Sequence, residues 1–297
     1  MQHSKERWGS IALLGVAIIW GAGFIATQVA IEDNLSPIFI VFARFLLAAV
    51  AMGLAGMKNL RHITKQEWKV GILAGVLLCL GFCMQTFGQK YSTPGNTAFL
   101  TATNVVMVPF FYWAVTKNRP TNQTFFATFL CLLGVLVLSA QFDQGIHFAI
   151  GDLMTLLASA LFAMQIVVLG KHSSGCNASV LTFLQMAAAA VLGLVVFLIT
   201  DRDFSLFLHI KGMMGVLYLG LLSTCLSFFI QTWAQQYVPA SKASMFLAME
   251  SLFGPLFSVI LGYDAFRWQL AVGGVIIVFS AILMELNLSR FRKNARE

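Results

Sequence analysis

Part of this chain occurs twice, displaced by 146 residues. Cys79, Leu80, Phe82, Gln85, Thr86, Gln89 and Tyr91 return as Cys225, Leu226, Phe228, Gln231, Thr232, Gln235 and Tyr237. Ala102, Pro109, Phe111 and Gln123 return as Ala248, Pro255, Phe257 and Gln269. Apolar identities are cheap in a hydrophobic chain, but three glutamines and a tyrosine in gapless register are not. The chain is a duplication, and its fold has to be read as two copies of one unit.

Composition decides the solvent for that pair. With 59% hydrophobic and 10% charged residues, the chain cannot cover itself with polar surface in water. A membrane span needs roughly 20 mostly apolar residues, about 30 Å at 1.5 Å per residue. Ten stretches qualify, at 10–30, 36–57, 70–89, 93–116, 122–141, 149–170, 177–199, 213–235, 239–262 and 268–287. Their limits are set by Gly, Pro, Asn and charge clusters. The predicted fold is an all-α polytopic membrane protein of ten transmembrane helices. The connecting loops are short, and none has the length or polarity of a soluble domain or a nucleic-acid-binding arm. Lys5 and Arg7 precede the first apolar run, which is too long for a signal-peptide core and reads as the first membrane helix.

Basic residues orient the chain. With the N-terminus in the cytoplasm, that side holds Lys5, Arg7, Lys58, Arg61, Lys65, Lys69, Lys117, Arg119, Lys171, Arg290, Arg292, Lys293 and Arg296. The opposite side holds Lys90, Arg202, Lys211 and Arg267. This bias places both termini inside and explains the net charge of +7 as orientation and contact with anionic lipid, with no nucleic-acid partner.

Each copy contains five spans, residues 1–145 and 146–297, and an odd number of crossings inserts the second copy upside down. Inverted five-helix repeats are a signature of secondary transporters, which bind solute near the bilayer midplane where the repeats meet. The dense identities lie in spans 3 and 8 and run into spans 4 and 9, so these four are expected to build a central cavity. Phe82, Gln85 and Gln89 share one helical face, and Phe228, Gln231 and Gln235 make the same face in the second copy. Lipid cannot satisfy an amide, so each glutamine either ties helices together or lines the cavity.

Charges near the midplane say more. Glu250 is at the middle of span 9, and its counterpart at the 146-residue offset is Asn104, in the middle of span 4. Arg44 is close to the middle of span 2. A charge at that depth costs several kcal/mol unless it is paired or reached by water. Either Arg44 and Glu250 are partners in a structural ion pair, or Glu250 faces the cavity and binds a cationic group or carries a proton while Arg44 holds an anionic group or the fold. Arginine stays charged, so a structural role is expected for Arg44 and a cavity role for Glu250. Lys242 is expected to snorkel at the cytoplasmic end of span 9, with guarding the inner mouth as its alternative. Asp152, Asp264 and Glu285 are expected at helix ends.

Other chemistry finds little support in the sequence. The five cysteines, Cys79, Cys83, Cys131, Cys176 and Cys225, lack metal-ligand spacing and read as small apolar side chains. Three of the five histidines, His3, His62 and His147, fall near loops or termini, and no metal or cofactor is expected. Intramembrane Ser/His pairs, a Gly-x-Gly-Asp motif and HExxH are absent from the sequence, so no enzyme is expected. A membrane scaffold is the remaining non-transport alternative, but it leaves Glu250 and the paired glutamine faces without a purpose.

Trp20-Gly21, Arg44-Phe45, the run from Thr103-Asn104 to Pro109 with Arg119-Pro120-Thr121 after it, and Glu250 in span 9 together resemble the EamA-type family of the drug/metabolite transporter superfamily. The resemblance covers essentially the whole chain. It departs where Ser251 follows Glu250 in place of proline, and where Asn104 and Asn118 stand in the first copy at positions that carry Glu250 and Asp264 in the second. The resemblance implies an alternating-access carrier in the bacterial cytoplasmic membrane, exporting amino acids or other small amphipathic metabolites, with protons as a candidate coupling partner. It implies that spans 1 and 6 help to line the cavity, adding Trp20 and Gln165, while spans 5 and 10 are peripheral. Uptake or facilitated movement of a sugar-like or organic-anion solute shares this architecture. Oligomeric state is left open. Pro109 and Pro255 are expected to kink spans 4 and 9, and Phe82, Phe99, Phe228 and Trp233 to supply an apolar wall.

Overall fold

A computed structural model describes residues 2–139, 150–263 and 265–285. Among them every regular element is helical. The elements are α1 (Gln2–Glu32), α2 (Pro37–Gly56), α3 (Lys65–Lys90), α4 (Pro94–Ala102), α5 (Asn104–Thr116), α6 (Asn122–Ser139) and α7 (Ile150–His172). They continue with α8 (Ala178–Thr200), α9 (Ile210–Tyr218), a π-helical segment (Leu219–Leu226), α10 (Ser227–Ala234), α11 (Ala240–Leu247), α12 (Glu250–Ile260) and α13 (Trp268–Glu285). Span 4 is thus α4 with α5, span 8 is α9 through α10, and span 9 is α11 with α12. Eight spans are long and apolar enough to cross a membrane, and Asn122–Val137 and Trp268–Met284 are shorter apolar helices. The boundary expected between the copies at 145/146 falls outside the described residues, as do His147, Asp264, Arg290, Arg292, Lys293 and Arg296.

Local chemistry sets the helix starts. Ser36 caps α2 by accepting from the Phe39 N–H, with Pro37 in the first turn, and Thr93 with Pro94 does the same for α4. Thr64 and Glu67 form a reciprocal capping box on α3. The other Glu67 oxygen accepts from the backbone N–H of Asn177 at 2.8 Å, tying the start of α3 to the cap of α8.

The bundle has apolar core clusters inside, with polar side chains buried among them, and large apolar side chains on its outer surface. Arg44, Gln85, Asn104, Gln165, Gln185, Gln231 and Glu250 are buried, while Leu54, Ile199 and Val275 are more than two-thirds exposed. Such a surface suits hydrocarbon as solvent. The α3 helix packs on α7 and α8, α2 on α8, α1 on α12, and α6 on α13. Glycine allows two of these approaches. A Cβ at Gly88 would come within 2.7 Å of the Gly151 carbonyl of α7, and one at Gly21 would lie 2.6 Å from Phe253 Cβ of α12. A Cβ at Gly15, by contrast, would meet open space.

Spans 4 and 9 are interrupted in the same way, but not at their prolines. Pro109 and Pro255 lie inside α5 and α12, whereas the breaks fall about six residues earlier. At each break the backbone tightens to three-residue bonds, Thr103 N–H to Leu100 O (3.3 Å) and Met249 N–H to Phe246 O (3.2 Å). Val106 to Thr103 and Leu252 to Met249 repeat the pattern at 3.1 and 3.0 Å. Both pairs obey the 146-residue offset. A proline removes a bond to the carbonyl four residues before it and crowds that turn, so the helix yields upstream of the ring. Span 8, expected to be one plain helix, widens into its π segment midway.

Candidate solute cavity

The second half-helices begin at Asn104 and at Glu250, so the two breaks carry these side chains to the middle of the bundle. Both line a central cavity. Trp20, Phe24 and Thr27 contribute from α1, Arg44 from α2, Phe82 and Gln85 from α3, and Phe162 and Gln165 from α7. Ser223 of the π segment, with Phe228 and Gln231 of α10, completes the wall.

Arg44 is buried and anchored to the second copy by two hydrogen bonds. Its Nε donates to Thr224 Oγ1 at 2.9 Å and a terminal nitrogen donates to Ser223 Oγ at 3.2 Å. The guanidinium also rests 4.0 Å from the centroid of the Phe82 ring. Hydrogen bonds to a charged group contribute about 1.5–3 kcal/mol each, and a desolvated cation–π contact about 2. These offset much of the cost of burial. Among the described residues no carboxylate lies within 4 Å of Arg44, so the ion pair with Glu250 that the sequence left open does not form.

Glu250 is in the opposite condition. It is 4% exposed, and its carboxyl makes no hydrogen bond or ion pair with a described residue. Asn104 Oδ1 and Gln231 Oε1 are likewise buried without a donor. The site therefore holds one satisfied cation and three acceptors with nothing to accept from.

The glutamines divide into lining and bracing groups. Gln85 lines the cavity and donates to Thr101 Oγ1 at 2.9 Å. Gln231 lines it and donates to Gln165 Oε1 and Gln235 Oε1 at 3.1 and 3.0 Å, and Gln165 passes the chain on to Gln185 at 3.0 Å. Gln89 and Gln235 are not among the lining residues. Gln89 donates to the Phe24 carbonyl of α1 at 2.8 Å, and Gln235 to the Ile166 carbonyl of α7 at 2.9 Å. The acceptors are 142 residues apart and the donors 146, so one bracing bond is made twice, once per copy. The same 142-residue step relates Trp20 to Phe162, and both line the cavity.

Trp20 donates its indole N–H to the Ser223 carbonyl at 2.8 Å and packs at 5.2 Å from the Phe228 ring. Phe82 meets Phe162 and Phe228 edge-on at 4.9 and 6.0 Å. Phe99 belongs to a separate buried cluster and Trp233 meets Tyr237 edge-on, and neither lines the cavity. Phe24, Thr27, Phe162, Ser223 and Thr224 are among the contributors the sequence reading missed. Ser223 and Thr224 replace Leu77 and Leu78 of the first copy, and that divergence was their signal.

At the membrane ends, Lys242 does not reach for solvent. It is 8% exposed and its Nζ lies 2.8 Å from Glu6 Oε1. Asp152, near the start of α7, is also buried and accepts from Asn96 Nδ2 at 2.7 Å. The described residues contain no cluster of His, Cys, Asp and Glu suited to a metal ion, and Cys79, Cys83 and Cys131 are buried thiols.

The model of the EamA-like transporter family matches residues 7–140 and again 149–286, once for each half of the chain. An uncharacterized transporter of Archaeoglobus fulgidus is 26% identical over 96% of this chain and 88% of its own length. The uncharacterized transporter YoaV of Bacillus subtilis is 25% identical, covering 92% and 93% of the two chains. A solved crystal structure at 15% identity superposes with a TM-score of 0.76 over 97% of this chain and 99% of that one, a likeness that shows the fold alone. With eight membrane-length apolar helices and two shorter ones among the described residues, a family match once in each half and a central cavity, this chain belongs to the EamA-like transporter family.

Proposed function

We propose that the protein is a secondary transporter that exports small amphipathic metabolites, amino acids among them, across the cytoplasmic membrane by alternating access. One observation carries this reading: a central cavity holds a secured guanidinium, a carboxyl without a partner and an aromatic wall. Glu250, Asn104 Oδ1 and Gln231 Oε1 all want donors, which an ammonium group supplies three at a time. Arg44 commits two of its five N–H groups to the protein, leaving others for an anionic group. Trp20, Phe82, Phe162 and Phe228 suit an apolar body between the two poles. When solute is absent, a proton on Glu250 serves the same electrostatic need, and this is the basis for coupling export to protons. Both termini then lie in the cytoplasm, as the basic residues indicate.

The test is a thermal-shift screen of the purified protein across amino acids, amines, sugars and organic anions, followed by flux of the hits into or out of liposomes. Zwitterionic solutes with an apolar side chain should raise the melting midpoint of the wild type and leave Glu250→Gln unmoved. Stabilisation by sugars or dianions alone, equal in both proteins, would favour the facilitative carrier instead.

A further inference from the structure

We infer that Asn96 with Asp152, and Lys242 with Glu6, are one cross-repeat latch built twice, each copy holding shut one mouth of the cavity. The inference rests on the alternating-access reading given above. Positions 96 and 242 are 146 residues apart, and each is the third residue of the half-helix that leads into a break. Each reaches across to the first helix of the other copy. Asn96 of α4 donates to Asp152 Oδ1 of α7 at 2.7 Å, and Lys242 of α11 donates to Glu6 Oε1 of α1 at 2.8 Å.

Because the copies are inverted, the two contacts lie at opposite faces of the bundle. One sits where α1 begins, the other where α4 and α7 begin. The partner positions are equivalent to within one helical turn. By the 142-residue step that relates α1 to α7, Asp152 corresponds to Ser10, and Glu6 is four residues before it. Lysine is longer than asparagine and reaches the extra turn.

The placement suits a gate. Pulling α4 or α11 from its partner helix bends the span at a joint that already exists, at Thr103 or Met249, next to Asn104 or Glu250. Lys242 and Asp152 are buried, where a charged contact is screened less than at a wet surface. The copies have kept the position and changed the chemistry, an amide–carboxylate bond at one mouth and an ion pair at the other. Breaking one latch should therefore bias the carrier toward opening at that face alone.

Sided thiol labelling tests this directly. Ser223→Cys places a thiol in the cavity wall, and its modification by a membrane-impermeant maleimide, added from one face or the other, is read by peptide mass spectrometry. Glu6→Gln should raise labelling from the N-terminal face at least about fivefold relative to the other face, the scale of a coupling between distinct sites. Asn96→Ala should shift the ratio the opposite way. The charge exchange Glu6→Lys with Lys242→Glu should restore the unmutated ratio, which a merely unfolded variant cannot do. Ratios unchanged in both single variants, or changed in the same direction, would overturn the latches. If position 223 in the otherwise unmutated protein is labelled from both faces, alternating access stands whatever the latches do. Labelling from one face only, in every variant, would sink both.

Discussion

At Thr103 and at Met249 the chain breaks a membrane helix by the same means, yet the residue that follows is an amide in one copy and a carboxyl in the other. The surroundings differ in a matching way. In the first copy α3 runs as an unbroken helix through Leu77 and Leu78, whereas the second copy has a π segment bearing Ser223 and Thr224. Those hydroxyls receive the guanidinium of Arg44, so the cation of the first copy is held by the second. The bracing bonds from Gln89 and Gln235 show no such divergence. The copies share the bracing bonds and the Phe82/Phe228 and Gln85/Gln231 positions of the cavity wall, and they part where the cavity holds its charges.

The most severe test of that distinction is Glu250→Gln, which makes the two junctions chemically alike. Solute flux in liposomes should fall at least about tenfold, equivalent to ~1.4 kcal/mol and within reach of one lost charge-assisted hydrogen bond. The melting midpoint in detergent should hold, because no described residue depends on this carboxyl. Exchanging the residues, Asn104→Glu with Glu250→Asn, should keep the fold and alter solute preference in the same screen. An exchanged protein with wild-type preference would show that the carboxyl works equally from either copy.

Arg44→Lys comes next in size. An ammonium cannot reproduce the planar stacking on Phe82 together with the two directed bonds, and a stability loss of about 1–3 kcal/mol is expected from the groups left unpaired. Denaturation monitored by intrinsic fluorescence would measure it. The smallest effects should come from Gln89→Leu, about 1 kcal/mol, typical of a polar bond between membrane helices, and from Gln235→Leu, which also removes the acceptor of Gln231 and should cost somewhat more. A cost confined to one copy would contradict the claim that these bonds are shared skeleton.

Much of this was legible in the sequence because the duplication could be read against itself. The span count, the central position of Asn104 and Glu250, and the shared face of Phe82 and Gln85 all follow from periodicity and offset. The break points did not. Pro109 and Pro255 signal a disturbed helix, but the backbone relaxes a turn or more upstream, where nothing in Thr103 or Met249 announces it. The division of the glutamines also stayed hidden. Gln85 and Gln89 are one turn apart on the same face, and only the position of the Phe24 carbonyl decides which one braces and which one lines. Ser223 and Thr224 were passed over because hydroxyls are tolerated in any span by bonding their own backbone. Their engagement with Arg44, 179 and 180 residues away in sequence, is a tertiary fact.

The central claim is that the carboxyl at position 250 senses what occupies the cavity, proton or solute. Flux of a hit from the screen, measured in liposomes over a series of imposed pH gradients for the wild type and for Glu250→Gln, tests it most directly. The wild-type rate should scale with the gradient, and the residual rate of the variant should be flat across it. An identical gradient dependence in the two proteins would contradict the account.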